Sequence, residues 1–358
     1  MKTIAIFPAS KNNKNPYQHL IEICLRKSGY STKRIPNRKF FPFLQLFDNK
    51  IDAVHFHWPY DFFIGKNVFT GAIKRVMFLL SFFILKRKKI IYFADNLISH
   101  DRNTDIEFER KWIQKIINSS NKIICSTNSA KRIFSEFYDV KNSDKIWVIP
   151  HPSYTSLYPN EMSKRRAKDY LGIKDDYPVL VALGFIKSYK GFEKILEHIS
   201  SFKNTFGTFI IAGECHNKVL LDKIKLLIKS NQSNIKVVLN DKFIKDDELQ
   251  IYYNAADGAV LNYLDVPMNP GSLILAMGFG LNIIAPLKGS IPELVPEKAL
   301  FGFDNKKNDQ IRLQLKSFFN SRSLNKNGMQ CKVAVEKKHS IDVIAKIYKN
   351  MYEEISNS

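Results

Sequence analysis

Short, almost wholly apolar runs alternate twice along this chain with longer runs of helical periodicity. That alternation constrains the fold more than any other feature. Apolar strands separated by helices require parallel sheets covered on both faces. In the first half, Ile4–Phe7, Ala53–Phe56, Lys89–Phe93, Lys122–Cys125 and Lys145–Ile149 read as strands; Tyr17–Lys27, Val68–Leu85, Ile106–Asn118 and Ala130–Phe137 read as helices. Pro150–Pro159 is rich in turn formers and reads as a linker. A second series follows, with strands at Val179–Leu183, Thr208–Ala212, Ile235–Leu239 and Ala259–Leu261 and helices at Gly191–Ile199, Val219–Lys229 and Asp246–Ala255. The tail, Val333–Ile355, reads as one or two amphipathic helices. The expectation is an α/β protein of two doubly wound domains, 1–155 and 156–335, with a C-terminal helix at 336–358 able to pack back on the first domain. Ligands in such sheets bind beyond the carboxyl ends of the strands, so two facing domains would form a cleft.

A length of 358 residues and 45% hydrophobic content suit two packed domains. The net charge of +21 favours anionic partners: nucleotide diphosphates, lipid phosphates, anionic membranes or nucleic acid. A lysine-rich composition bias accounts for it as well. Cys24, Cys125, Cys215 and Cys331 are scattered singly, which suggests neither a zinc site nor a disulfide framework and fits a reducing compartment. Met1–Phe7 enters directly into a strand pattern without the apolar stretch of a signal peptide, so a cytoplasmic location is expected. The longest apolar run, Val76–Leu85, falls short of the ~20 residues that span a bilayer. Basic residues flank it, Lys74 and Arg75 before and Lys86 to Lys89 after, so it reads either as a core helix, the favoured reading, or as a helix on an anionic membrane surface.

Three segments carry chemistry. In the first, Asn269–Pro286, Pro270 suits a helix start, Gly271 and Ser272 expose N–H groups there, and Gly280 can stop the helix before a strand. Such a start carries free donors and partial positive charge and can hold a diphosphate, although many α/β proteins share the local pattern. The second is Leu183–Leu196, where a strand ends at Gly184 and a loop with Lys187 and Lys190 leads into a helix. Two lysines there either neutralise a diphosphate or are simply solvated. The third pairs Val54–Pro59 with Tyr92–Asp101, both just beyond strands. His55 and His57 share one strand face, as cleft-lining groups, a structural pair or the beginning of a metal site without an evident third ligand. Trp58 and Pro59 either stack on a sugar or end the strand. Asn15–Tyr17 either approaches an acceptor or starts a helix. Arg34–Phe43 is one basic, aromatic patch suited to nucleic acid or membrane, too little to argue for nucleic acid as a partner.

In order and spacing these segments resemble the GT-B glycosyltransferases, in particular the group 1, family 4-like enzymes of bacterial surface polysaccharide synthesis. The resemblance runs over nearly the whole chain. It implies two Rossmann-like domains, the second gripping a nucleotide-sugar. By it, Gly184, Lys187, Lys190, Asn269, Gly271, Ser272 and Leu273 lie at the diphosphate, and Phe243 and Ile244 near the base. Lys190 matches the phosphate-binding lysine. Phe185 stands where an arginine is usual, and Lys187 can substitute. In the first domain the segments resemble the "H-x-H-W-P" turn and the "H-N-L-x-P-H-E" loop of one branch. Asn96 and His100 match that loop, Asp95 replaces its first histidine, Ser99 its proline and Asp101 its glutamate. His57, Trp58 and Asn96 are thereby expected at the acceptor.

Many retaining members carry two glutamates in the donor segment; aligned through Ala276 and Met277, these positions are Pro267 and Leu275 here. An inverting route, with a general base taking the acceptor's proton, is the natural competitor. Asp95 is the first candidate for that base, with His100, His57 and Asp101 behind it; an N-cap or loop-bracing role is its alternative. The resemblance implies transfer of a hexose or hexuronic acid from a nucleoside diphosphate sugar to a glycan acceptor, lipid-linked, with domain closure bringing Asp95 to the donor. Lysines and a helix start supply the positive charge, so no metal or other cofactor is required. A non-catalytic sugar- or nucleotide-binding protein and a nucleic-acid-binding protein are the competing readings.

Overall fold

The computed structural model describes residues 2–10, 16–37, 42–99 and 105–357. His100, Asp101 and Asn15 lie outside the described residues, as does part of the Arg34–Phe43 patch. The chain divides into two units, Met1–Pro152 with His339–Ser358, and Ser153–Lys338.

The first unit runs β1 (Thr3–Ala9), α1 (Tyr17–Lys27), β2 (Ser31–Pro36), β3 (Ile51–Phe56), α2 (Val68–Leu85), β4 (Lys89–Phe93), α3 (Ile106–Ser119), β5 (Lys122–Cys125), α4 (Asn128–Phe137) and β6 (Ile146–Val148). Its described strands form one sheet in the order β2-β1-β3-β4-β5-β6. The strand order reverses between β1 and β3, the switch point at which open sheets hold ligands. Ile4 and Ile6 on one face of β1 join a core with Ile21, Leu25 and Ile91. Phe7 points to the other face, into a cluster with Phe43, Phe56 and Phe62. Helix starts are set by side chains: Asn67 and Thr70 cap α2 reciprocally, and Asp105 and Thr127 accept from Phe108 N and Ala130 N.

The second unit runs α5 (Lys164–Tyr170), β7 (Val179–Leu183), α6 (Phe192–Ile199), β8 (Gly207–Ala212), α7 (Lys218–Lys229), β9 (Ile235–Asn240), α8 (Leu249–Ala255), β10 (Gly258–Val260), α9 (Gly271–Gly278), β11 (Asn282–Pro286), α10 (Ile291–Leu294), β12 (Leu300–Phe303), α11 (Asn308–Phe319) and α12 (Leu324–Lys338). The order β12-β11-β10-β7-β8-β9 puts the switch point between β7 and β10. Both faces of β7 and β8 are buried, which is why their sequences are unbroken apolar runs. The last helix, α13 (Ile341–Asn357), belongs to the first unit, where Ile344, Tyr348 and Met351 join the core around α1.

Several elements differ from expectation. β2 is an edge strand with a half-buried, largely polar sequence, so it shows no apolar run; β12 is an edge strand of only four residues, Leu300–Phe303, with Gly302 inside it. The tail contains two helices, and α12 begins well before Val333. The favoured reading of the Val76–Leu85 run as a core helix is corrected. α2 is one 18-residue helix, long and apolar enough by length and composition to cross a membrane, and only 28% of it is buried. The apolar run continues onto a face that the unit leaves uncovered.

Candidate functional site

The loops after β7 and β10 flank the switch point of the second sheet. The β7 loop begins at Gly184, whose backbone is left-handed (φ 102°), and a Cβ there would lie 3.1 Å from Lys190 Nζ. Glycine thus leaves room for the ammonium. The loop turns back at Gly191 (φ 56°), where a Cβ would stand 2.6 Å from Asn262 Nδ2. That amide donates to the Gly191 carbonyl at 3.1 Å, and Leu264 N donates to the Tyr189 carbonyl at 2.9 Å, tying the two loops together. The β10 loop is also held from β11. Ser290 donates from N to the Pro267 carbonyl (3.0 Å) and from Oγ to the Met268 carbonyl (2.7 Å), and Lys288 Nζ donates to the Leu264 carbonyl (2.7 Å).

Lys190 is partly buried, and its pKa is pushed down to about 8, first by burial and then by the neighbouring charge of Lys187. Two ammonium groups crowded at the carboxyl end of a central strand favour an anion between or beside them. α9 follows the β10 loop, with Pro270 at its cap position and no side-chain cap. Its first-turn N–H groups, at Gly271 and Ser272, have no intrahelical acceptor. Ser272 Oγ is hydrogen-bonded to the Tyr263 hydroxyl, which fixes the serine on the β10 loop. Leu273 is fully buried, so only its backbone faces this start. Asn269 sits on the same loop, immediately before Pro270.

Of the pair expected near a base, Phe243 is 60% exposed, whereas the Ile244 side chain packs into the core with Ile251. Phe185 is itself exposed and its ring lies 6.4 Å from that of Phe243 and 6.0 Å from that of His216. An aromatic surface therefore stands where an arginine is usual. The sequence reading treated Phe185 as a missing charge and missed Asn262. An apolar strand ending in Asn-Tyr just before the loop was the available signal.

In the first unit, Asp95 and His57 meet at the carboxyl ends of β4 and β3. His57 N donates to the Phe7 carbonyl at 2.8 Å, which extends the β1–β3 pairing beside the switch point. Its Nδ1 lies 3.4 Å from Asp95 Oδ2. The ring stacks on Phe93 at 4.0 Å and meets the edge of Tyr17 at 6.2 Å. His57 is fully buried, behind an Asp95 that keeps 8% of its surface exposed. Among the described residues, His57 Nε2 has no hydrogen-bond partner. Trp58 follows in left-handed backbone (φ 37°), a conformation that costs a bulky side chain roughly 1–2 kcal/mol. Asn96 is half-buried on the Asp95 loop.

That loop is braced from α3 and α4. Glu109 accepts from Ser99 N (2.8 Å) and Ser99 Oγ (2.7 Å), and the Tyr138 hydroxyl donates to the Leu97 carbonyl. These two supports were not legible in sequence, because they lie on helices separated from the loop along the chain. His55 serves the core. Its Nε2 is 2.5 Å from the Tyr352 hydroxyl on α13, and burial, then His57, pushes its pKa far down, so the ring is neutral. Among the described residues no group of three or more His, Cys, Asp or Glu side chains is placed to hold a metal ion.

Gly213, after β8, is needed where two loops touch. Its φ is 143°, and a Cβ would lie 2.4 Å from the Gly184 carbonyl oxygen. Gly213→Ala is expected to destabilise the protein by about 1–3 kcal/mol, through a clash with backbone that cannot move without disturbing the β7 loop. Urea unfolding measures it; an unchanged midpoint would contradict this packing.

Two doubly wound parallel sheets, each with its own switch point, define the class of architecture: an α/β protein of two Rossmann-like units. The chain aligns over 100% of its length, and 100% of the other chain, with Anabaena HepE in complex with UDP and glucose (TM-score 0.73, 12% identity) and with the sucrose-phosphate synthase of Thermosynechococcus elongatus (0.73, 14%). It aligns over 98% of its length, and 99% of the other chain, with WaaG, a glycosyltransferase involved in lipopolysaccharide biosynthesis (0.65, 11%). No protein-family model and no curated sequence matches it. The protein has the GT-B glycosyltransferase fold.

Proposed function

We propose that this protein is a cytoplasmic glycosyltransferase that moves a hexose or hexuronic acid from a nucleoside diphosphate sugar to a glycan acceptor, a lipid-linked saccharide of cell-surface polysaccharide assembly. The observation that carries the reading is the Lys187–Lys190 pair. Its two ammonium groups stand at the switch point of the second sheet, in a loop tied to the loop that precedes α9. The HepE structures with UDP and with UDP-glucose make UDP the first nucleotide to test.

In this reading Lys187, Lys190 and the Gly271–Ser272 helix start hold the diphosphate, Phe185 and Phe243 offer ring faces to the base, and no metal is needed for charge. Asp95 is the general base, with His57 positioning it. The acceptor hydroxyl gives its proton to the Asp95 carboxylate as its oxygen attacks the anomeric carbon. The bond from that carbon to the phosphate oxygen breaks, and the electron pair leaves on the nucleoside diphosphate. The lysines and the α9 start take up that charge, as oriented donors do where charge develops. Attack opposite the leaving group inverts the anomeric centre. Asn96 and Trp58 are assigned to the acceptor.

Lys190 gives the reading a pH signature. It titrates near 8, against the ordinary 10.5. Raising pH through that value neutralises the ammonium and removes attraction for the diphosphate, so donor affinity falls above pH 8. Calorimetric titration with UDP from pH 6.5 to 9.5, spanning the ~8 of Lys190, tests this; flat affinity would contradict the assignment of Lys190. A thermal-shift screen of nucleotides and nucleotide-sugars tests the function itself, because a true donor raises the melting temperature by mass action.

A further inference from the structure

α2 presents an apolar face that the described residues do not cover. At about 100° per residue, Phe69, Ile73, Val76, Leu79, Leu80 and Phe83 form one continuous stripe along it. They are 44–73% exposed, Phe69 and Leu79 marking the extremes. Gly71, Phe78, Ser81 and Leu85 are buried on the opposite side, where the helix packs on its own unit. The buried side keeps α2 from leaving the unit to span a bilayer, and its ~27 Å length, at about 1.5 Å per residue, suits a helix lying along a surface. Leu44 and Phe47, on the 3-10 turn Pro42–Phe47 that packs beside α2, are exposed as well.

A second observation points to the same partner. A cavity of about 870 Å³ opens at the carboxyl end of α2. Lys2, Lys86, Arg87, Lys88 and Lys89 line it, beside the apolar Leu46 and Phe47. Asp52, the one carboxylate among its described lining residues, already accepts from Thr3 N at 2.7 Å. Lys88 is committed to the Asp48 and Ile51 carbonyls, whereas Lys86, Arg87 and Lys89 are exposed. Ile51 and Lys89 begin β3 and β4, so the cavity lies at the amino ends of the strands, the opposite edge of the sheet from Asp95 and His57.

We propose that this face is a membrane-docking surface: the α2 stripe enters the interfacial layer of a bilayer, and the basic cavity at its end receives the phosphate headgroup of an anionic lipid. Charge complementarity selects this occupant. A second copy packed antiparallel along the stripe would set Lys66 of one copy against Lys86 and Arg87 of the other, and a parallel copy would set the basic ends against each other. An anionic lipid surface satisfies both the stripe and its basic end. Surface docking of this kind needs both an apolar face and basic residues, each exposed cation contributing about 1 kcal/mol, a factor of about five in partitioning. The inference does not rest on the sugar-transfer reading.

Flotation of the full chain with phosphatidylcholine vesicles, with and without phosphatidylglycerol, tests it. The protein is expected to float with the phosphatidylglycerol vesicles and to be released by high salt. Leu80→Asp with Phe83→Asp is expected to lower partitioning more than tenfold. Arg87→Glu with Lys89→Glu is expected to lower it at least twenty-five-fold, about five for each of two cations. All four positions are on the surface, so both variants should keep the parent melting temperature and its response to nucleotides. The proposal is overturned if the parent stays in the soluble fraction, floats equally without phosphatidylglycerol, or floats unchanged in the Asp variant. It is equally overturned if sedimentation shows a dimer that the Asp variant abolishes while vesicles capture nothing.

Discussion

Asp95→Asn is expected to lower turnover of a nucleotide-sugar with its glycan acceptor by about 10²–10⁴, the range over which a general base contributes. The substitution keeps the shape of the side chain and removes its ability to accept the acceptor's proton. It leaves the bracing of the loop in place, because Glu109 and Tyr138 hold Ser99 and Leu97 rather than Asp95. Donor affinity should therefore stay at its parent value, since Lys187 and Lys190, the proposed phosphate ligands, lie in the other unit. A loss of turnover with unchanged donor affinity and melting temperature separates a base from a loop support. Unchanged turnover would remove Asp95 from the chemistry and pass the role to His100 or Asp101, which lie outside the described residues.

Lys190→Met is expected to weaken binding of the nucleoside diphosphate by about ten- to a hundredfold, the equivalent of one hydrogen bond to a charged group. The same substitution should leave the melting temperature at pH 7 unchanged or higher. Its folded pKa, about 8, lies below the ordinary 10.5. Between these values the unfolded chain holds more protons on this group than the folded one, so stability rises with pH across that window, and below it the cost of burying the charge is fully present. Methionine removes that cost. A protein that becomes no less stable as it loses its anion site would show that Lys190 is held for binding. A large fall in melting temperature with intact nucleotide affinity would make it a structural lysine and contradict the site.

Central elements were legible in sequence because burial on both faces leaves an unmistakable trace. β4, β5 and β7, and the helices α1 and α2, have the bounds that their apolar patterns imply. The edge strand β2 was not, since its half-solvated sequence is largely polar, and β12 was not, since its run is only four residues long with Gly302 inside it. Periodicity also could not say what covers a helix: the stripe of α2 has the composition of a core face but looks outward. At the site, strand alternation placed His55 and His57 on one face but not at their depth, and the structure buries both, one against Tyr352 and one behind Asp95. Lys187 and Lys190 were legible as candidates because a glycine-bounded loop after an apolar strand is a local pattern. Phe185 and Asn262 were not, because their roles depend on neighbours far along the chain, Phe243 and Gly191.

The central claim is that the β7–β10 switch point of the second unit holds a nucleoside diphosphate. Calorimetric titration of the full chain with a panel of nucleoside diphosphates measures it most directly. One member of the panel should bind at a single site, with affinity that falls in Lys190→Met and is unchanged in Asp95→Asn. If no nucleoside diphosphate binds the folded protein, or if one binds equally well after Lys190→Met, the claim is wrong.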